Sequence, residues 1–245
     1  MEAFADLFAF LAGTPAMVGL FLAAAIIFLT SDWRLSLTGL LLQYLLVGVV
    51  VTRFLQLEVA LVKILVGVLV VSILYLGSRQ TQEVQERPQT GPSSAKFRRV
   101  HLTWGGGPLG LPLRLFVVLL VAVAVVRFFG EFQSLLPAPG PETVMFPSDV
   151  ALVSFWLGLM GLVGLVLSGN PLRVAPALLT VMAAFDLIYA GFEPSLAIVG
   201  FLAALILLVA LAFSYLTTVQ GLGANVDSPE ADSTSAGVPE ESVQG

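Results

Sequence analysis

Cysteine is absent from the 245 residues, and histidine occurs once, as His101. The first absence removes disulfides, thiolate metal sites and thiol nucleophiles. The second leaves His101 alone in a polar stretch, so a histidine cluster for metal binding or catalysis would need partners from another chain. Charge is scarce as well: 11% of the residues are Asp, Glu, Lys or Arg, against 58% hydrophobic. With a mean hydropathy of +0.98, such a chain cannot clothe a water-soluble surface. Basic residues are also missing from the opening MEAFADLFAF. A secretory signal peptide starts with the other sign of charge, so the first apolar run is expected to be a retained span.

What is present is length after length of apolar helix. A hydrocarbon core about 30 Å thick takes about 20 apolar residues per helix, and seven runs of that kind lie between polar breaks: 4–29, 35–52, 57–76, 111–132, 150–167, 172–192 and 195–217. The expected fold is therefore all-α and integral to the membrane, a bundle of about seven transmembrane helices. Its organisation reads as helices one to three in 1–77, a polar loop in 78–110, helix four in 111–133, a proline-rich loop in 134–148, helices five to seven in 149–218, and an acidic tail in 219–245. Pro15 should kink the first run or separate a lead-in from the span proper. The Ser, Pro and acid content of the tail predicts disorder from Gln220 onward.

Lysine and arginine collect on the cytoplasmic side of membrane proteins. With seven spans, one side holds Arg34, Arg79, Arg87, Lys96, Arg98, Arg99, Arg114 and Arg173, and the other only Arg53 and Arg127. Eight against two predicts an outer amino terminus and a cytoplasmic tail, in what would be a prokaryotic cytoplasmic membrane. The group around Lys96, Arg98 and Arg99 is expected to rest on anionic headgroups, and nothing suggests nucleic acid. Spans one to three and five to seven also echo one another: a short arginine-bearing corner, then a tight turn with a glutamate. Span four restores the parity, so the triplets would be parallel repeats.

Ionisable groups inside the spans are few: Lys63, Asp186 and, at the mouth of span three, Glu58. Lys63 and Asp186 each lie six residues from the outer end of their helix, roughly 9 Å in at about 1.5 Å per residue. Alone, each would cost about 2.5 to 3.5 kcal/mol at a helix centre, whereas opposite charges facing each other cancel much of that. Three readings are open: a salt bridge that docks the triplets, a couple able to pass or sense a proton, and unpaired groups facing a water cavity or another subunit. Gln43, Tyr44, Tyr189 and Ser72 would extend a hydrogen-bonded path or serve as packing. In GLMGLVGL, Gly158, Gly161 and Gly164 form a smooth strip that predicts a helix-packing face.

The residues DWRLS at the start of span two, the tight turn, and LVKILVGVLVV with Lys63 in the first half of span three carry a likeness to a family. In these positions, Arg34, Leu35, Ser36 and Lys63 above all, the chain resembles the component E membrane subunit of formate-hydrogenlyase-type hydrogenases, itself related to the K subunit of respiratory complex I. The complex I subunit carries glutamates within its second and third helices; here span two offers Gln43 and Tyr44. The resemblance implies a place in a membrane arm beside antiporter-like subunits, with Lys63 on a midplane proton path, no cofactor of its own and no catalytic centre of its own, as a non-catalytic subunit of a membrane oxidoreductase. Two alternatives stand beside it: a stand-alone small transporter built from the triplet repeats, and a scaffold in which the charges only dock helices.

Overall fold

The computed structural model describes residues 13–30, 32, 33–53, 55–85, 110–135, 147–168, 171–192 and 195–226. The described residues form seven helices: α1 (Thr14–Leu29), α2 (Trp33–Val51), α3 (Leu57–Gln85), α4 (Gly110–Leu135), α5 (Ser148–Leu167), α6 (Pro171–Phe192) and α7 (Leu196–Val226). No strand occurs among the described residues. Six of the helices are long and apolar enough to cross a membrane, and α1 is a shorter apolar helix. The chain is an all-α integral membrane bundle.

Local chemistry sets where each helix starts. Pro15 sits in the first turn of α1, where a missing N–H costs nothing, so it opens the helix and does not kink it. Asp32 caps α2: its Oδ1 accepts from Arg34 N at 3.0 Å, and its carbonyl accepts from Ser36 N at 3.0 Å. Pro147 precedes α5, whose first turn carries Asp149, a charge that suits a helix N-terminus. Between α2 and α3 the chain turns within a few residues, with Leu55 N bonded to Val51 O at 2.9 Å and Val59 N to Gln56 O at 3.0 Å.

Two boundaries differ from the sequence reading. The loop expected from residue 78 begins only after Gln85, because α3 runs on. The stretch 78–85 holds neither proline nor glycine, and the first proline is Pro88, so nothing breaks the helix earlier. Likewise α7 runs to Val226, so 220–226, expected to be disordered, is helical. Lys96, Arg98, Arg99 and His101 lie outside the described residues.

The most extensive contact is between α5 and α6, followed by α3 with α7. Within each triplet neighbours pack in chain order, and between triplets α1 meets α5, α2 meets α6 and α3 meets α7. Helix-to-counterpart contact of this kind sets the two triplets side by side in the same order. The peripheral α4 touches mainly α5 and α1. The helices alternate in direction, so Arg34, Arg79, Arg114 and Arg173 share one end of the bundle, and Arg53 and Arg127 the other.

Candidate functional site

Lys63 projects from α3, two turns in from its start, and Asp186 from α6, at the same distance from its end. Lys63 Nζ donates to Asp186 Oδ2 at 2.5 Å. The two side chains are 6% and 9% exposed. Among the described residues they are the two buried charged side chains. Matching depth, legible by counting from helix ends, is thus matched by direct contact. Because the partners carry opposite charges, the bond is charge-assisted.

Toward the arginine-rich end the pair continues into uncharged polar groups. Tyr44 of α2 is buried, donates its hydroxyl to the Leu179 carbonyl of α6 at 3.3 Å, and lies within the electrostatic reach of Asp186. Its neighbour Gln43 is fully buried. Thr180 Oγ1 donates to the Pro176 carbonyl at 2.8 Å and lies 3.4 Å from Gln43 Oε1, while Gln43 Nε2 meets no partner. A hydroxyl has one hydrogen, and Pro176 takes it. Turning the Gln43 amide over lets its NH₂ donate to Thr180 Oγ1, which is the better pairing. Either orientation leaves one amide atom of a fully enclosed side chain without a protein partner, as happens where a water or a passing ligand completes the set.

Thr180 also lines a cavity of about 510 Å³ that opens at the arginine-rich end. Asp32, Arg114 and Arg173 lie at its mouth, Ser36 and Thr180 on its wall, with Ile27, Val117 and Met160 supplying apolar surface. Ser36 and Gln43 are seven residues apart on α2 and share a helix face. Ser36, Thr180, Gln43 and Tyr44 thus form a column of buried polar groups at heights between the arginine-rich end and the ion pair, of which Thr180 and Gln43 are in contact. Beyond the pair, the opposite end of the bundle is packed with Val50, Val51, Val59, Val150, Val153 and Leu187.

The remaining sequence candidates stand apart from this column. Glu58 is exposed in the first turn of α3. Ser72 is exposed and donates to its own Val68 carbonyl at 2.7 Å. Tyr189 stacks on Phe185 with ring centroids 5.8 Å apart. The glycine strip lies against α6: a Cβ at Gly161 would come within 2.8 Å of Val181 N and 2.9 Å of Ala177 O, one at Gly164 within 2.9 Å of Ala177 Cβ, and one at Gly158 within 3.7 Å of Ala184 Cβ. Sequence reasoning passed over Thr180, Asp32, the cavity and an ion pair at the opposite end, Arg53 Nη1 to Asp149 Oδ2 at 2.5 Å. Ser36 and Thr180 give little signal, since Ser and Thr are common helix-contact residues in membranes. No protein family, curated protein or solved structure matches the chain, so the likeness to the component E subunit rests on the residues quoted for it.

Proposed function

We propose that the protein handles protons within the membrane, with Lys63 and Asp186 as the exchanging couple and the polar column as its connection to the arginine-rich side. The observation that carries this reading is the position of the pair. It is a buried charge pair in a bundle that also buries Tyr44, Gln43 and Thr180 between the pair and the arginine-rich end, and Thr180 lines a cavity there. A bridge needed only to dock helices would work equally well surrounded by apolar residues. Low dielectric disfavours both charges while their attraction favours both, and so a proton moved between nitrogen and oxygen exchanges an ion pair for two neutral groups. With apolar packing on the far side, the couple is reached from the arginine-rich side.

In this reading the chain is a membrane-arm subunit of a complex I-like or hydrogenase-like ion-translocating assembly, working beside antiporter-like subunits and holding no redox cofactor itself. The arginine-rich end faces the cytoplasm. The stand-alone transporter is favoured by a different observation, the cavity, which is large enough for a small solute.

Two measurements separate these. On native gels of gently solubilised membranes the subunit migrates well above a single chain, and the transporter does not. In sealed vesicles, Lys63→Met/Asp186→Leu, which leaves no unpaired charge in the bundle, is expected to accumulate and yet abolish proton-coupled dye quenching. If instead this variant retains wild-type proton coupling, the couple has no part in transport.

A further inference from the structure

We propose that two copies of this chain pair side by side in the membrane through α4, with Arg127 of each copy bonded to Glu131 of the other. This goes beyond the proton reading and stands without it. Two chains remain far below a multi-subunit assembly in size, so native gels still tell the two functional readings apart.

α4 is the least buried of the six long helices. On its inner side Val121 and Val125 join the core, and Phe132 stacks on Phe155 of α5 with ring centroids 4.5 Å apart. On the other side Phe116, Leu120, Val123, Arg127, Gly130 and Ser134 follow one another at alternating steps of four and three residues, and all of them are exposed. That is the spacing of a seam between two helices.

Lipid tails cover Phe116, Leu120 and Val123 well enough, but they satisfy neither charge of this face. A hydrocarbon core takes about 20 residues of helix, and every stretch of that length within 110–135 contains Arg127. Its guanidinium therefore stands on the lipid side of a membrane-crossing segment, where charge is costly. Neither Arg127 nor Glu131 forms an ion pair among the described residues, and a base four residues before an acid is the poorer order for a pair within one helix.

A second copy supplies both partners at once. A two-fold axis along the membrane normal keeps both chains in one orientation and sets equal residues at equal height. Glu131 lies one turn, about 6 Å, nearer the surface than Arg127, a step the arginine side chain covers as it reaches toward the headgroups. The contact then closes twice, in the self-complementary pattern of a two-fold interface. Between the charges, the small Gly130 lets the helices approach.

The test counts chains per particle by single-molecule photobleaching, with the full chain diluted into liposomes. Wild type is expected to be dimeric. Arg127→Glu and Glu131→Arg each set like charges against one another and should weaken pairing on the order of a hundredfold, whereas Arg127→Glu/Glu131→Arg restores it. Gly130→Leu keeps both charges, and open space surrounds its Cβ in the single chain. Its melting temperature should therefore stay put while the dimer is lost, which decides the matter if the charge variants do not fold. With no cysteine in the chain, Val123→Cys should oxidise to a crosslinked pair and the similarly exposed Phe201→Cys on α7 should not. Single wild-type chains at every protein-to-lipid ratio, as expected if lipid alone or a different subunit covers α4, would overturn the proposal. So would a charge swap that pairs no better than the single reversals, or a dimer undiminished in Gly130→Leu.

Discussion

Removing Lys63 or Asp186 alone leaves a charge inside the bundle without its 2.5 Å partner, and loss of one member of a buried pair costs about 3 to 5 kcal/mol. Removing both takes that charge away. Lys63→Met/Asp186→Leu is therefore expected to melt closer to wild type than either single variant, with a strongly favourable coupling energy in the thermal double-mutant cycle. The surface pair Arg53–Asp149, 32% and 44% exposed, should contribute at most about 1 kcal/mol in the same experiment. Gln43 behaves differently again, because its fully buried amide is only half satisfied. Gln43→Leu should be neutral or stabilising by about 1 kcal/mol, yet it should slow proton coupling by interrupting the column. An unchanged rate in that variant would remove Gln43 from the path. Lys63 and Asp186 were legible as a pair because depth follows from residue count alone. Thr180 was not, because its role depends on which way α2 and α6 turn toward each other.

At the scale of helices, the strongest expectation concerns α5 on α6. A methyl at Gly161 would meet backbone atoms of Val181 and Ala177, which cannot swing aside, so Gly161→Ala should cost about 1 to 3 kcal/mol. Gly130 in α4 has open space where its Cβ would be, and Gly130→Ala should be neutral or stabilising by about 0.5 to 1 kcal/mol. Both are read from melting temperatures in the same detergent. A Cβ at Gly158 would lie 3.7 Å from Ala184 Cβ, a spacing a disulfide accepts. Since the chain has no cysteine of its own, Gly158→Cys/Ala184→Cys should oxidise to one intramolecular crosslink, seen as a mobility shift reversed by reductant. The helix ladder itself was readable from apolar run lengths. The overrun of α3 was masked by composition: 78–85 is polar, which marks departure from lipid and says little about departure from helix. The partner of the glycine strip was also hidden, since spacing shows a smooth face without naming its neighbour.

For the whole molecule, the lop-sided interior makes an accessibility prediction. Ser36 borders the cavity, whereas Ala60 is fully buried near the other end. In oriented vesicles a membrane-impermeant thiol reagent should label Ser36→Cys from the arginine-rich side only and leave Ala60→Cys unlabelled. Labelling of Ser36→Cys from the opposite side would contradict a cavity opening at one end. The cavity draws on α1, α2, α4, α5 and α6, elements far apart in the chain, so residue order alone does not reveal it. One further feature concerns mechanics. With 29 residues in α3 and 31 in α7, these helices are about 43 and 46 Å long at about 1.5 Å per residue, and both outlast their spans, which end at Arg79 and Val219. They run parallel and pack together, and Ser214 Oγ donates to the Ile73 carbonyl at 3.2 Å. The bundle thus carries a double shaft longer than its apolar stretches, and one of the two shafts is the helix on which Lys63 is mounted.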